Sequence, residues 1–500
     1  MKLVRKYFSK LERLILSLAC LGMCIGLTTS LHAQSPRPNI IFILADDLGW
    51  GDLGCYGHPI TQTPNLDRMA REGTLFTQFY VCGSVCSPSR CAFFTGQYPS
   101  RHKIHGHYAT PEQNSARGMS QFLEPTTPNN AALLKRAGYT TAHVGKWHLG
   151  SNSGGPEPDK YGFDFVGTSE SGGANGPAND PHFRAKSTEI FVNETLKFIE
   201  TNRDKPFYVQ LWTLVPHATL NPTDEQLQRY ANLRAGGPNF PHHTAAEIFS
   251  ASVTDLDAQI GRLLKGLADL GLSEKTLILF SSDNGPEDIH IRNAGHSGIG
   301  SAGPFRGRKR SLYEGGVRVP FIVRWPGHVP AGRIDNSSVV AGCDFLPTLC
   351  KLSGAEIPST HALDGEDVSD ILTGQSRPRK NPLMWNWRFR IAGEPFHYSP
   401  TLAIRDGDFK LLLNPDKSRV ELYDIPKDPT QLNNIAEKHP DLVHRLTDRV
   451  LAWHTTLPPG PTDPGAGQMN YALPGQSKAA PANAPPGGKA KANGKTKAKQ

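Results

Sequence analysis

Four strand-like stretches in this chain each end on polar residues, and that coincidence constrains the fold more than any other feature. Asn39-Ile40-Ile41-Phe42-Ile43-Leu44 runs out at Asp46-Asp47. The stretch 207–214 ends at Pro216-His217, 276–280 ends at Asp283-Asn284, and 139–144 leads into Lys146-Trp147-His148. A continuous apolar run of this length reads as a strand covered on both faces. In open α/β sheets, ligands sit beyond the carboxyl ends of the strands. Four such ends would therefore assemble one charged pocket. Its three carboxylates and one amide are hard oxygen donors, which suit Ca²⁺ or Mg²⁺ better than a softer metal. Lysine, arginine and histidine beside such a cation would suit a tetrahedral oxyanion. Singly, each of these residues reads more readily as part of a turn, since Asp-Asp and Asp-Asn-Gly are common there.

The helices fall between the strands. Thr63-Pro64 opens one, with Thr as N-cap and Leu66, Met69 and Ala70 on one face. Residues 130–138 form another. Residues 245–270 form a long amphipathic helix, with Phe249, Val253, Leu256, Ile260, Leu263, Leu264 and Leu267 at helical spacing. A further strand is expected over 319–325. Strands alternating with helices indicate an α/β fold, a large sheet with helices on both faces. The texture changes near residue 375. Residues 34–375 are read as a catalytic domain and 376–460 as a small antiparallel sheet, with strands at 401–405, 409–413 and 420–423 and a closing helix over 440–453. Residues 461–500 are Pro, Gly, Ala and Lys with almost nothing to bury, and read as disordered.

The ends also explain the charge. Lys2, Arg5, Lys6, Lys10 and Arg13 precede an apolar run over 14–27 and a small-residue site at Leu31-His32-Ala33, which reads as a signal peptide over residues 1–33. The expected location is secreted or periplasmic, with no stable membrane span after cleavage. The formal charge is +8, but the first 33 residues hold five Lys/Arg against one Glu and the last 40 hold six Lys against one Asp. The part between is close to neutral, so no nucleic-acid partner is expected. Six cysteines follow the signal. Cys343 and Cys350 are expected on one helix, roughly 10.5 Å apart by helix rise, too far for a bridge.

Cys86-Ser87-Pro88-Ser89-Arg90 supplies a nucleophile. Pro88 suits the first turn of a helix, which would put Cys86 at a helix N-terminus, where free N–H groups favour an anion. A buried or disulfide-bonded cysteine is the plainer alternative. A zinc site from Cys82, Cys86, Cys91, His102, His105 and His107 ranks below both, because the spacing matches no zinc finger.

With these residues in view, the chain resembles the type I sulfatase family. Cys86-Ser87-Pro88-Ser89-Arg90 is similar to the Cys-x-Pro-x-Arg signature that marks a cysteine for oxidation to formylglycine. Gly145-Lys146-Trp147-His148-Leu149-Gly150 resembles the second signature, and Arg306-Gly307-Arg308-Lys309 with Tyr313-Glu314-Gly315-Gly316-Val317-Arg318 resembles the lysine-bearing loop. Gly49-Trp50-Gly51-Asp52-Leu53-Gly54 and Thr63-Pro64-Asn65-Leu66-Asp67 look most like arylsulfatase and N-acetylgalactosamine-6-sulfatase relatives. The resemblance implies an alkaline-phosphatase-like fold, a large mixed sheet sandwiched by helices with a smaller C-terminal antiparallel sheet plus helix.

It also implies roles. Asp46, Asp47, Asp283 and Asn284 would bind Ca²⁺, or Mg²⁺, together with the modified Cys86. Arg90 would steady the formylglycine hydrate, and Lys146 would contact it and the sulfate. His217 and Lys309 would hold sulfate oxygens, one of them protonating the departing alcohol. His148 would take the proton from the second hydroxyl of the hydrate, and Ser171 falls where some relatives place a sulfate-binding serine. One hydroxyl attacks sulfur and the other re-forms the aldehyde and expels sulfate, which a plain serine could not do.

The implied function is hydrolysis of a sulfuric ester of an alcohol or sugar. The implied substrate is a sulfated saccharide or an aryl sulfate, and a formylglycine-generating or equivalent enzyme is the maturation partner. The alternatives are a phosphate or phosphonate ester hydrolase of the same superfamily, and a non-catalytic protein that binds sulfated glycans. Specificity would lie in loops 169–182, 293–301 and 385–397. In the last, Trp385, Trp387, Arg388, Arg390 and His397 either stack on a sugar or pack the small domain.

Overall fold

In the computed structural model, which describes residues 37–150, 154–168, 180–239, 241–291 and 294–469, the apolar run after Pro38 becomes the central strand of a large sheet. Its nine strands are β1 (Asn39–Asp46), β2 (Thr74–Tyr80), β3 (Thr140–Gly145), β4 (Phe165–Val166), β5 (Phe207–Pro216), β6 (Thr276–Ser282), β7 (Arg318–Arg324), β8 (Arg333–Asp335) and β9 (Val340–Ala341). They lie in the order β4-β3-β5-β1-β6-β7-β2-β8, with β9 also on β2. β1 pairs in parallel with β5 and β6, Ile41 lying opposite Val209 on one side and Ile278 on the other. β7 runs antiparallel to both its neighbours, which makes the sheet mixed.

Both faces of β1 are buried, as its unbroken apolarity requires. Ile40, Phe42 and Leu44 point into one core with Phe79, Phe93 and Phe345. The Phe42 ring centroid lies 5.0 Å from that of Phe93 and 4.6 Å from that of Phe345, within the range of favourable aromatic pairing. Ile41 and Ile43 point the other way, against Phe191 of the Phe183–Asn202 helix and Leu256, Ile260 and Leu263 of the Ala245–Asp269 helix. The second of these starts where Thr244 accepts the backbone N–H of Glu247.

The Pro64–Arg71 helix is capped differently from the expectation. Thr63 does not cap it. Its hydroxyl accepts the Gly54 N–H and donates to Asp67. The free N–H groups of Asn65 and Leu66 instead donate to the carboxylate of Asp257, from the long helix, at 3.1 and 2.7 Å. Cys343 also departs from its expected place. It sits in a 3₁₀ turn, Gly342–Asp344, and only Cys350 belongs to the Phe345–Ser353 helix.

A second, four-stranded antiparallel sheet follows: β10 (Leu383–Asn386), β11 (Leu402–Asp406), β12 (Phe409–Leu413) and β13 (Glu421–Asp424), paired in that order. The Pro440–Thr455 helix covers it, burying Leu446 and Val450. Trp385 on β10 donates its indole N–H to the Val81 carbonyl at 2.7 Å, tying the small sheet to the end of β2. The chain also stays in contact beyond 461, contrary to the reading of that stretch as unfolded. The Asp463 N–H donates to the Arg388 carbonyl, its carboxylate accepts from Arg390 at 3.0 Å, and Ala466 is buried. Residues 1–36 and 470–500, where the signal peptide and most of the basic tail were read, lie outside the described residues.

Candidate active site

The strand ends do converge. At the end of β1, Asp47 takes a left-handed backbone (φ 67°), and its N–H donates to Asp283 at 3.1 Å. This bond ties the end of β1 to the residue that follows β6. Asn284 comes next and donates its amide N–H to Asp47 at 2.7 Å. The turn continues only because position 285 is glycine. A Cβ there would lie 1.9 Å from the Gly315 carbonyl oxygen, so the chain carrying Asp283 and Asn284 could not approach the 306–317 loop.

Cys86 opens a fully buried helix, Cys86–Thr95. Its Sγ lies 3.5 Å from Asp46 and 3.9 Å from Asp47. Arg90 is one turn along on the same face. It donates to Asp283 at 2.7 and 3.1 Å and to the Lys146 carbonyl at 2.8 Å, and its guanidinium lies 5.1 Å from the Trp212 ring. Burial, then Asp283, pushes the Cys86 thiol far up, so the unmodified sulfur is a poor nucleophile.

The basic side chains arrive from three directions. Gly145 ends β3 with φ 102°, and a Cβ there would strike the Trp212 carbonyl. Lys146 follows, with its Nζ 2.7 and 2.9 Å from the two oxygens of Asp46. His148, also left-handed (φ 56°), turns its Nε2 to the Tyr108 carbonyl at 3.1 Å. A carbonyl can only accept, so Nε2 carries the proton and the buried, unpartnered Nδ1 carries the lone pair. Burial, then Lys146, holds His148 well below the usual histidine range and therefore neutral. His217 follows β5, with Nδ1 2.8 Å from the Ala218 carbonyl and Nε2 3.7 Å from Asp47. Burial lowers it too. Lys309 lies 2.7 Å from Asp47 and 3.5 Å from Glu287. Burial works against its charge, but Asp47 and its other anionic neighbours hold it well above the ordinary lysine value.

Ligand atoms of Asp46, Asp47, Cys86 and Asp283 all lie within 4.8 Å of one another. Donors about 2.4 Å from a shared Ca²⁺ would be at most roughly 4.8 Å apart, so the hollow fits one such ion. The Asn284 side-chain oxygen Oδ1 is buried with no hydrogen-bond partner, as a fifth ligand would be. Burial, then Asp46, pushes Asp283 up to about 6, the strain of like charges that a cation relieves. Asp46 is raised by burial but held well below its usual value by Lys146, His217 and Arg90.

Asp47, Cys86, Lys146, His148, His217 and Lys309 line a cavity of about 340 Å³, together with His107, Ala218, Glu287, Ala294, Ser297 and Arg310. Glu287 was missed in the sequence. It accepts two bonds from Arg310 and lies beside Lys309, and its one signal was a place three residues after Asn284. Ser171 lies outside the described residues. The cysteines and histidines of the zinc alternative are not brought together among the described residues. Trp385 and Trp387 are buried in the small domain, Arg388 bonds to Asn386 and Pro458, and His397 accepts the Gly307 N–H, so these side chains serve packing.

A charged hollow at the carboxyl edge of a mixed sheet, with the Cys86–Thr95 helix opening into it, is the arrangement of the alkaline-phosphatase-like fold. The chain belongs to the sulfatase family. The family model described as Sulfatase matches residues 38–355, and one described as N-sulphoglucosamine sulphohydrolase, C-terminal, matches 303–455. It is 35% identical to human arylsulfatase A over 414 residues, covering 78% of this chain and 77% of that one. It is 32% identical to N-acetylgalactosamine-6-sulfatase of Mus musculus over 536 residues, covering 95% and 96%. Among solved structures it is similar to Ps i-CgsB in complex with k-i-k-neocarrahexaose, with TM-score 0.69 and 27% identity, covering 83% of this chain and 92% of that one. The protein is a sulfatase, and its general reaction is sulfate ester hydrolysis.

Proposed function

We propose that the protein is exported and removes sulfate from a sulfated glycan, using formylglycine made from Cys86 and a Ca²⁺ held by Asp46, Asp47, Asp283 and Asn284. The observation that carries this reading is Cys86 Sγ inside a four-residue ligand cluster at the start of a buried helix. Relatives that include a glycan sulfatase and a structure solved with a carrageenan oligosaccharide support the substrate class. Among the described residues no helix is long and apolar enough to cross a membrane.

The ion, when bound, would polarise the sulfate and offset charge on its oxygens. The formylglycine hydrate would supply two hydroxyls on one carbon, one for attack on sulfur and one for releasing sulfate. The remaining roles fall to the chain. Arg90 holds Asp283, which is in reach to accept the proton of the attacking hydroxyl. Lys146 and Lys309 are buried ammonium groups able to turn from Asp46 and Asp47 toward sulfate oxygens. Lys309 or His217, which both line the cavity beside Asp47, would protonate the departing alcohol. His148 presents a free Nδ1 lone pair and is the base for the second hydroxyl.

The test is turnover of p-nitrophenyl sulfate beside the corresponding phosphate and phosphonate esters, followed by sulfate release from defined sulfated saccharides. The sulfate ester and at least one saccharide should be the preferred substrates. A preference for the phosphorus esters would overturn the reading.

A further inference from the structure

Two arginines beside the cavity are not needed by the chemistry above. Arg310 lines it, takes a left-handed backbone (φ 78°), and is clamped by Glu287 at 2.5 and 3.0 Å through two of its five N–H donors. Arg117 donates to the carbonyl of His107, whose side chain lines the same cavity, at 3.2 Å. Its guanidinium also lies 5.9 Å from the Phe389 ring, and among the described residues no carboxylate forms an ion pair with it. Phe389 itself lies against Gly106. The two arginines sense each other, because Arg310 lowers Arg117 beyond what burial does alone. Around the site Arg90, Lys146, Lys309, Arg310 and Arg117 face Asp46, Asp47, Asp283 and Glu287, so positive charge is in excess before any substrate binds.

We propose that Arg117 and Arg310, both next to His107, form a second anion subsite beside the sulfate pocket. The preferred substrate is then a sulfated saccharide that carries another anionic group, a carboxylate or a second sulfate ester, on its leaving portion. This deepens the sulfated-glycan reading and rests on it. Guanidinium groups suit either anion through paired hydrogen bonds, and the half-buried Phe389 ring offers an apolar wall for a pyranose. A cavity of about 340 Å³ lies at the small end of ligand sites but exceeds a sulfate group alone, so the neighbouring ring must pass these residues.

The test is calorimetric binding to the full chain carrying Cys86→Ala, which separates affinity from turnover. Three probes are compared: a hexose 6-sulfate, the same hexose with two sulfates, and a 6-sulfated hexosamine linked to a uronate. At least one doubly anionic probe should bind about tenfold or more tighter than the monosulfate, and the arm that gains identifies the second anion. Arg117→Gln and Arg310→Gln, each added to that background, should bring the ratio close to one. Arg117→Gln leaves the Glu287 clamp untouched, so its effect cannot come from a displaced Lys309. Equal affinities for all three probes, or a preference unchanged in both variants, would overturn the subsite. A binding preference that the variants abolish, in a protein whose wild type releases no sulfate, would support the subsite and refute only the sulfatase chemistry.

Discussion

Among the buried clusters of charged side chains in the described residues, the one around Cys86 and the one around Glu314 are assembled on different terms. Around Glu314 a single carboxylate is surrounded. Lys410 lies 2.8 Å from one oxygen, Tyr80 and Arg318 lie 2.6 and 3.3 Å from the other, and Arg405 contacts the Tyr80 hydroxyl. Burial opposes its charge, but Lys410, Arg318 and Arg405 bring Glu314 down to about 2. This cluster joins the two sheets, with Lys410 on β12 and Tyr80 on β2. Around Cys86 three carboxylates crowd a hollow, one of them is pushed up toward neutrality, and a buried amide oxygen has no partner. A filled cluster fixes structure. A crowded one with an orphan acceptor is built for something that binds.

The comparison predicts that substitutions in the two clusters fail in different ways. The largest effect is on turnover. His148→Ala should lower kcat by about 10²–10⁴-fold while the melting temperature stays close to wild type, since it removes a base and not a support. Thermal unfolding with equal loss of stability and activity would erase the distinction. Glu314→Gln should do the reverse, costing about 3–5 kcal/mol in denaturant unfolding by leaving buried cations unmatched, with kcat retained in the folded fraction. Its pH signature follows from the sign of the shift. The folded-state value is depressed below the usual 4.5, so the stabilisation is complete above about 4.5 and is lost as pH falls toward about 2. Glu314→Gln should flatten that part of the stability curve. Chelation should act on the crowded cluster alone. Restoring Ca²⁺ at a hundred times its dissociation constant should return about 2.7 kcal/mol in wild type and in Glu314→Gln alike. The smallest effect belongs to the surface. Asp463→Ala breaks a half-exposed pair with Arg390 and should cost under about 1 kcal/mol by the same unfolding measurement.

What could be read in advance follows the same division. Asp46, Asp47, Asp283, Asn284, Lys146 and His217 were legible because an apolar run announces a buried strand, and the polar residues after it have one place to go. Lys309 was legible only through its motif, since no strand delivers it. Glu287 and Arg310 were not singled out. Their pairing depends on the loop folding back so that the Lys309 N–H meets the Pro286 carbonyl, a contact that no periodicity encodes. The cap that Asp257 provides was hidden for the same reason, because donor and acceptor lie 192 residues apart. Trp385 and Trp387 beside arginines look alike whether they meet a sugar or a core, and only burial decides. Residues 461–469 were misread because composition reports the absence of apolar side chains but not backbone bonds such as that from Asp463.

Turnover by this site requires conversion of Cys86, and one paired measurement addresses that directly. The mass of the peptide containing Cys86 gives the fraction carrying formylglycine, and active-site turnover of p-nitrophenyl sulfate is measured on the same preparation. Across preparations of differing occupancy, turnover should rise in proportion to the formylglycine fraction and vanish in Cys86→Ala. Full turnover from protein whose Cys86 is entirely unmodified would contradict the account.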